Sequence, residues 1–384
     1  MKKRYNLFLL AAVWVVSARA SGLDASIGIP KGCYFTPEAD CFVPVGVPVK
    51  FYGSSEGYPD GWSWTFEGAE PSVSNEQNPE VVYRNEGNYV VMLTVSDGDG
   101  FDRCVLEEGV QVGGIHSVWN IRNSERGNLA SVPLDMSWYG YYAGSNLYGD
   151  AFAEKFSAPV VKAEISGVDV YFASTAHVTD DAVIEVSVCL PDRAGLPSEK
   201  LASASLPVSA LRPYGSGAPT VFEFYEPVSV DGEYFVVISG LPFSMRGTKG
   251  DEIAVLCSPD RGKGGESTVY SYVDYDGETY WRKDSDRHLS MAVAPVLAFT
   301  ETGDEGQGLV ETAEGDSAGL SVCFDGVRFG GGYSSAVIYD LCGKAVKRLD
   351  SPVGYVAFDG LESGVYIVAA ESAGKVETVK FIKR

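Results

Sequence analysis

The 384-residue sequence contains only three histidines, His116, His177 and His288, and these lie far apart in the chain. No HExxH motif or paired-histidine spacing is present, and the seven cysteines lack the CxxC spacing of a zinc site. The sequence therefore predicts no cofactor and no catalytic metal. Basic residues are scarce too, since 30 Lys and Arg stand against 52 Asp and Glu, for a formal charge of −22. Because an acidic surface repels phosphate backbones and anionic lipid headgroups, we expect neither nucleic acid nor a membrane surface as a partner.

The first 20 residues have the pattern of a secretory signal peptide. Lys2, Lys3 and Arg4 form a cationic start, residues 7–16 are ten unbroken apolar residues, and Ala18 and Ala20 provide the small-x-small cleavage site. Ten helical residues reach only about 15 Å, half the thickness of a bilayer core, so no membrane span is expected after cleavage. The sequence predicts an exported protein.

Glycine and proline are abundant, at 44 and 19 residues, and favour many short strands over long helices. Alternating apolar residues predict half-buried strands at 43–51 and 184–190; Pro44 and Pro48 would place the first at a sheet edge. Continuous apolar runs at 234–238 and 253–257 predict central strands that are buried on both faces. The predicted fold class is all-β, with tandem β-sandwiches.

Three segments of the first sandwich carry a family resemblance: residues 62–68 (WSWTFEG), 78–83 (NPEVVY) and 87–95 (GNYVVMLTV). Together they resemble a PKD domain, an immunoglobulin-like module that serves as a spacer or contacts proteins and glycans. The sequence departs from the family pattern at Thr65, where an aspartate usually follows the second tryptophan. We interpret Trp64 as a core residue.

The block from 114 to 300 resembles a β-sandwich module of exported Bacteroidetes proteins. The matching residues are 142–150 (YAGSNLYGD), 153–156 (AEKF), 167–172 (GVDVYF), 195–197 (GLP) and 228–236 (VSVDGEYFV). This resemblance implies a larger, jelly-roll-like sandwich and no particular activity.

Residues 301–317 carry six acidic residues with no lysine or arginine, which is typical of a flexible linker.

The last segment, 318–384, resembles the C-terminal sorting domain of the type IX secretion system. The matching residues are 337–344 (VIYDLCGK), 359–368 (DGLESGVYIV) and 379–384 (VKFIKR), with Gly343, Gly364, Tyr366 and Lys380 as the sorting motif. The resemblance implies a small immunoglobulin-like sandwich, the type IX machinery as a partner, and a location outside the cell or on the outer-membrane surface. The predicted domains are 1–20, 21–113, 114–300 and 318–384, with the linker at 301–317.

The seven cysteines fit an oxidising compartment, in which disulfides persist. Cys189 and Cys257 could form one local bridge and Cys323 and Cys342 another. The N-terminal group has an odd count, which leaves either one free thiol or a bridge between domains; its members are Cys33, Cys41 and Cys104. Free buried cysteines are the alternative for all seven.

Few residues suggest catalysis or metal binding. Residues 53–57 form a literal GxSxG, but a nucleophile elbow needs a strand-to-helix turn, and we place this segment on a hairpin loop. Two acidic clusters are calcium candidates because Ca²⁺ prefers several oxygen ligands. Neither completes an EF-hand, and solvated turn residues are the alternative. The clusters are Asp97, Asp99 and Asp102, and Asp274, Asp276 and Glu278.

Two aromatic-rich segments, 138–148 and 270–281, are the most suggestive binding feature. Flat amphipathic rings in loops stack on sugars or anchor protein contacts, whereas the same rings in strands fill a core. The candidate ligand contacts are Trp138, Tyr139, Tyr141, Tyr142, Tyr275 and Trp281.

The sequence therefore favours an exported, non-catalytic protein that binds a glycan or a protein. The alternative is a secreted hydrolase of glycans or peptides, with its site in the 114–300 block and carboxylates such as Asp274 and Glu278. That alternative predicts a deep cleft in which acidic side chains converge.

Overall fold

Short strands make up nearly all of the regular structure in a computed structural model of the chain. The structure describes residues 22–134, 140–178, 181–216, 218–243, 251–275, 278–283 and 285–300, and, further on, 321–323, 326–329, 333–340, 344–350, 354–357, 361, 364–372 and 375–383. The chain divides into two units, Met1–Glu305 and Gly306–Arg384. The predicted linker at 301–317 lies outside the described residues.

The first module contains ten strands: β1 (Asp24–Gly28), β2 (Cys41–Val43), β3 (Pro48–Lys50), β4 (Tyr52–Glu56), β5 (Gly61–Phe66), β6 (Ala69–Glu70), β7 (Val73–Ser74), β8 (Glu80–Tyr83), β9 (Gly87–Ser96) and β10 (Phe101–Val112). They form a five-stranded sheet in the order β2-β10-β9-β5-β7, a three-stranded sheet in the order β3-β8-β6, and the pair β1-β4. The β2–β10 pairing is parallel.

The core of this module follows from two-residue alternation. Val91, Leu93 and Val95 of β9 are fully buried on one face of the sheet. Trp64 is only 1% exposed and stacks on Phe66, with ring centroids 5.3 Å apart. Its indole Nε1 donates to the Glu76 carbonyl at 2.9 Å, which satisfies the buried polar group. The interpretation of Trp64 as a core residue is confirmed.

The predicted single strand at 43–51 is wrong. Residues 41–43 belong to the five-stranded sheet and residues 48–50 to the three-stranded sheet, so the chain changes sheets between them. Gly46 allows this corner because its φ of +73° lies in the left-handed region. Both β2 and β3 do lie at sheet edges, as the prolines predict.

The second module runs from Ile115 to Phe299. Short 3-10 helices lie at Asn123–Asn128, Val208–Ala210 and Tyr214–Ser216. Its strands are β11 (Ile115–Ser117), β12 (Val132–Pro133), β13 (Tyr141–Tyr142), β14 (Ala151–Phe156), β15 (Ala163–Val170), β16 (Phe172–Ala176), β17 (Val183–Pro191), β18 (Pro197–Pro207), β19 (Thr220–Val230), β20 (Tyr234–Ser239), β21 (Glu252–Val255), β22 (Val269–Tyr275), β23 (Glu278–Lys283) and β24 (Val293–Phe299).

Two antiparallel sheets build the second module as a sandwich. One has the order β11-β24-β15-β19 and the other the order β18-β17-β20-β14-β22-β23. A single apolar cluster takes residues from both, such as Ile165 and Phe222 from the first sheet and Phe156 and Val236 from the second. The prediction of a central strand at 234–238 is confirmed. The prediction for 253–257 is confirmed in its burial but not in its length. Residues 253–255 are fully buried and hydrogen-bond to β16 on one side and to residues 143–145 on the other, but β21 ends at Val255.

The two modules share packing. The ring of Phe42, on β2, is fully buried and lies 4.8 Å from the Phe299 ring of the second module, centroid to centroid. The Tyr34 hydroxyl donates to the Ser157 carbonyl at 2.7 Å. Gly32 has a φ of +73°, and a Cβ there would lie 2.4 Å from the backbone nitrogen of Val160. Residues 32–42 therefore complete the core of the neighbouring sandwich as well as their own.

The C-terminal unit consists of β25 (Ser321–Cys323), β26 (Gly326–Phe329), β27 (Tyr333–Asp340), β28 (Ala345–Asp350), β29 (Gly354–Ala357), β30 (Gly364–Ser372) and β31 (Lys375–Lys383). Its sheets have the orders β25-β26-β29 and β28-β27-β30-β31. Tyr366 is buried in a small core with Ile338 and Val368. Gly364 begins β30 and Lys380 lies on β31, whereas Gly343 lies outside the described residues. The all-β fold class with tandem sandwiches is confirmed.

The described cysteine side chains are free thiols: Cys33, Cys41, Cys104, Cys189 and Cys257. A bridge between Cys189 and Cys257 is absent, because the two side chains lie in separate apolar clusters. Burial raises the pKa of the Cys41 thiol, as does its contact with Cys33. The side chains of Cys323 and Cys342 lie outside the described part of the chain.

No helix among the described residues is long and apolar enough to cross a membrane.

Candidate binding cavity

An open cavity lies in the second module at the β22–β23 end of the six-stranded sheet. Its volume is about 310 Å³, which is at the lower end of the range for small-ligand sites. The lining combines aromatic rings with a few polar side chains and two arginines. The residues are Leu134, Tyr142, Asn146, Tyr148, Gly149, Phe152, Ser271, Tyr272, Val273, Asp274, Tyr280, Arg282 and Arg287.

Strand register explains the floor of the cavity. Ser271 pairs with Arg282 and Val273 pairs with Tyr280, so these four side chains share one face of the β22–β23 hairpin. This is the core-facing side, because Ser271 also pairs with Phe152, a core residue of β14. The hairpin therefore extends the inner face of the sheet beyond the closed core, where that face becomes accessible.

A tightly held loop, residues 143–150, forms the wall. The buried Asn146 side chain accepts hydrogen bonds from the amides of Tyr148, at 2.7 Å, and Gly149, at 3.1 Å. Its amide nitrogen donates to the Gly144 carbonyl at 2.8 Å. The Tyr148 carbonyl accepts from the Asp274 amide at 2.9 Å, which fixes the loop to β22.

Gly149 is required for this close approach. A Cβ at that position would lie 1.9 Å from the Tyr272 carbonyl oxygen, so any larger residue would push the loop off β22. Together with Asn146, Gly149 therefore fixes the backbone at Tyr148 beside the cavity before any ligand arrives. Such preorganisation reduces the entropy that binding would otherwise cost.

The rings of the cavity differ in accessibility. Tyr148 is 47% exposed and Tyr280 is 44% exposed, whereas Tyr142 is buried and packs edge-on against Phe152 with centroids 5.4 Å apart. The Arg287 guanidinium lies over the Tyr142 ring, 5.3 Å from its centroid, in a cation–π contact. Two accessible phenol rings beside hydrogen-bonding groups suit a ligand with both apolar and polar faces.

The structure brings together only part of the predicted aromatic set. Tyr142 lines the cavity, and Tyr141 is buried next to it on β13. Trp281 lies on the opposite face of the hairpin, where it packs against Tyr272 with ring centroids 5.2 Å apart. Trp138 and Tyr139 lie outside the described residues. Tyr275 ends β22, but its side chain is not among the described ones.

Sequence reasoning did not single out Tyr148, Tyr280, Asn146, Arg282 or Arg287 as site residues. Both tyrosines belong to the aromatic-rich segments, and two-residue alternation along 278–283 would have separated Tyr280 and Arg282 from Trp281. No comparable sequence pattern marks Arg287 or Asn146, whose positions depend on the pairing of distant strands.

The acidic candidates do not converge. Asp274 pairs with Thr279 and Glu278 pairs with position 275, so the two carboxylates leave the hairpin on opposite faces. Asp276 lies outside the described residues. In the other cluster, Asp97 accepts from the amides of Asp99 and Gly100, and Asp102 accepts from the Ala25 amide. The described residues contain no group of three or more potential ligands that could hold a metal ion.

A buried polar network lies elsewhere in the second module. The Arg261 guanidinium makes a two-point ion pair with Glu125, through Nε to Oε1 at 2.7 Å and Nη2 to Oε2 at 2.8 Å. The two side chains are only 7% and 11% exposed. Burial alone would raise the pKa of Glu125, but hydrogen bonds from Arg261 and the Arg122 amide hold it below its ordinary value.

Glu154 is the second carboxyl of this network and is fully buried on β14. It accepts from the Asn120 side chain at 2.7 Å, from the Met291 amide at 2.9 Å and from the Thr268 hydroxyl. Burial raises its pKa to about 7, although these donors act in the other direction. Because its oxygens are already engaged, Glu154 serves as a structural group.

The remaining catalytic candidates have structural roles. Residues 53–57 lie largely on β4, not on the hairpin loop that we predicted, and the Ser55 hydroxyl donates to the Glu56 carbonyl. His116 packs edge-on against Phe42, and His177 contacts the Thr175 carbonyl through Nδ1 at 3.1 Å. His288 lies near Asp260, with Nδ1 3.9 Å from the carboxylate oxygen.

Comparison with known proteins identifies one module. The PKD domain family model matches residues 38–112, which confirms the resemblance of the first sandwich. The match covers less than half of the chain, so it classifies that module and not the whole protein. A search of curated proteins finds no match.

Several solved structures have a distant likeness to the chain. One, described as a carbohydrate-binding module of the β-sandwich superfamily, is 14% identical, with 58% of this chain and 98% of that chain covered and a TM-score of 0.20. A SusE-like protein is 11% identical, with 71% and 97% covered and a TM-score of 0.19. The Bacillus anthracis TIE protein is 9% identical, with 95% and 73% covered and a TM-score of 0.13. TM-scores this low support no inference about fold or ligand.

Proposed function

We propose that the chain is a non-catalytic binding protein and that its ligand is a glycan held in the cavity of the second module. The proposal rests on two exposed tyrosines, Tyr148 and Tyr280, that line the same cavity. The lining also offers hydrogen-bonding groups. A sugar ring has apolar C–H faces and a rim of hydroxyls, and this lining complements both.

A glycan has better support than a protein ligand because of the shape and size of the site. Stable protein interfaces bury about 800 Å² on each partner and are mostly shallow. The cavity is concave, with a volume of about 310 Å³, which suits a few sugar units. The Asn146 hydrogen bonds hold the backbone at Tyr148 and Gly149, so a small ligand would not have to order that loop.

A hydrolase in this cavity would need two carboxylates about 5–10 Å apart on either side of the scissile bond. Among the described residues, Asp274 is the only acidic residue in the cavity lining, and its side chain leaves the hairpin on the face opposite the cavity floor. Glu278 shares the face of the floor but is not part of the lining. The described geometry therefore favours binding over hydrolysis.

Alanine variants test the proposal. We expect Tyr148→Ala and Tyr280→Ala each to weaken glycan binding about tenfold or more, because each removes an accessible stacking surface. Trp281→Ala is the matched control, since it removes an aromatic side chain from the adjacent position on the opposite face and should leave affinity unchanged. A glycan array followed by titration calorimetry measures the affinities, and thermal melting confirms that each variant is folded.

A loss of binding in Trp281→Ala but not in Tyr280→Ala would place the ligand on the other face of the sheet and contradict the proposed site. Hydrolysis products in the calorimeter cell, detected by mass spectrometry, would contradict the non-catalytic function.

We also propose that the protein is exported through its signal peptide and delivered by the type IX machinery, which would recognise residues 318–384. The support is the sequence resemblance of this segment and the strand-rich fold of the C-terminal unit. Deletion of 318–384 should retain the protein in the periplasm, as measured by fractionation and immunoblotting. Appearance of the truncated chain outside the cell would show that the unit has no sorting role.

A further inference from the structure

We propose that Cys33 and Cys41 form a disulfide when the chain folds in an oxidising compartment, and that this bond braces the joint between the first two modules. Both side chains are thiols in the structure. The sequence leaves open which of the three N-terminal cysteines stays unpaired, whereas strand register and burial select one pair.

Strand register places Cys33 and Cys41 on one face of a short antiparallel pairing. Tyr34 and Phe42 form a β-bridge in which the Phe42 amide donates to the Tyr34 carbonyl at 2.7 Å. Because side chains alternate along a strand, the residues just before them point to the other face. Cys33 and Cys41 accordingly lie in the core of the first module, whereas Tyr34 and Phe42 lie in the core of the second. The two thiols contact each other there.

The third cysteine is too far away to compete. Cys41 pairs with Val110 of β10, which in turn pairs with Tyr89 of β9. Cys104 pairs with Leu93, four residues from Tyr89 along β9 and therefore about 13 Å away at 3.3 Å per residue. A disulfide requires Cα atoms within about 7 Å of each other. Cys104 therefore remains a free thiol in this module.

The turn between Cys33 and Cys41 already holds them side by side. The Thr36 amide donates to the Ala39 carbonyl at 3.1 Å, and the Ala39 amide donates to the Thr36 hydroxyl oxygen at 2.8 Å. Since the folded chain closes this turn without a cross-link, the disulfide would act mainly by restricting the unfolded chain.

The bond forms by thiol–disulfide exchange with a disulfide oxidant, the class of oxidant that an oxidising compartment supplies. One cysteine thiolate attacks the oxidant, whose sulfur–sulfur bond breaks and releases one thiol. The second cysteine thiolate then displaces the other half. In total, the two cysteines lose two electrons and two protons, and the oxidant becomes two thiols. Because Cys33 is 5% exposed and Cys41 fully buried, the exchange would take place before the core closes.

The bond would lie next to both anchors of the joint. Tyr34 follows Cys33 and donates through its hydroxyl to the Ser157 carbonyl at 2.7 Å, while Phe42 follows Cys41 and packs in the second core. A cross-link between the two cysteines therefore ties together the two segments that reach into the neighbouring module.

Disulfide mapping tests the bond on the full chain, refolded from urea in oxidised and reduced glutathione. After iodoacetamide labelling of the denatured chain, digestion without reductant should give a linked peptide pair that contains Cys33 and Cys41. Its mass should be two hydrogen atoms below the sum of the separate peptides. Cys104 is the internal control and should be labelled without reduction. Labelling of Cys33 and Cys41 under those conditions, or a link from either to Cys104, would overturn the proposal.

Thermal melting tests the brace. Reductant should lower the melting temperature of the refolded chain by about 5 °C, since it removes a cross-link from a short loop. The double variant Cys33→Ala/Cys41→Ala keeps every other cysteine and should melt at the same temperature with and without reductant. Cys104→Ala is the matched control and should keep the full effect of reductant. An equal shift in the double variant would assign the effect to another pair and overturn the bracing role.

Hydrogen–deuterium exchange of the wild-type chain needs no substitution and locates the effect of reduction even if the double variant does not fold. We expect reductant to accelerate exchange in residues 33–42 and, across the joint, around Ser157. Faster exchange confined to the first module would show that the bond does not brace the joint.

Discussion

Phe42→Ala should destabilise both N-terminal modules at once, by about 3 to 5 kcal/mol. Phe42 is fully buried, and its ring packs against Phe299 and His116 of the second module although its backbone belongs to β2 of the first. Truncation would leave a cavity at the junction that the rigid surroundings fill only in part. Urea denaturation measures the loss, and hydrogen–deuterium exchange by mass spectrometry locates it, with faster exchange expected in β2, β11 and β24.

Phe66→Ala is the matched comparison, because Phe66 is equally buried but lies within the core of the first module alone. We expect a similar total loss with faster exchange confined to residues 22–113. If Phe42→Ala also affected only the first module, the shared packing would not couple the two modules energetically.

Glu125→Ala should cost about 3 to 5 kcal/mol in the free energy of unfolding, more than a cap or a surface contact would explain. The substitution leaves the Arg261 guanidinium buried without the carboxylate that accepts two of its hydrogen bonds. An uncompensated buried charge is far more costly than the loss of an exposed ion pair, because water cannot replace the missing partner. Urea denaturation of the full chain at neutral pH provides the measurement.

An exposed pair in the same chain is the control. Arg84 and Glu70 form an ion pair whose side chains are 54% and 66% exposed, and Glu70→Ala should cost less than about 1 kcal/mol. A Glu125→Ala variant no less stable than Glu70→Ala would mean that solvent reaches Arg261 and that the network is not buried in solution.

The sequence predicted the fold class because two-residue alternation is a local property. Burial of Val91, Leu93 and Val95 on one face, and of β20 on both faces, follows from the residues themselves. The corner at Gly46 was missed because alternation continues across it, so the pattern does not show that residues 43 and 49 lie in different sheets. Strand pairing depends on long-range contacts that alternation does not specify.

The candidate site could be predicted only in outline. The two aromatic-rich segments do meet, at Tyr142, Tyr148 and Tyr280, but which rings line the cavity depends on register across β14, β22 and β23. A shift of one residue would exchange Tyr280 for Trp281 on the cavity face. Arg287 joins the site only through tertiary packing, which no spacing rule specifies.

The stability of the folded chain depends on pH through Glu154. The pKa of Glu154 is 4.5 in the unfolded chain and about 7 in the folded chain. At a pH between these two values, the carboxyl therefore binds a proton when the chain folds. Stability should therefore decline as the medium changes from pH 5 to neutral, with an upper limit of about 3 kcal/mol from this single carboxyl. Mildly acidic surroundings would favour the intact second module, whereas alkaline ones would leave a buried carboxylate charge beneath its strands.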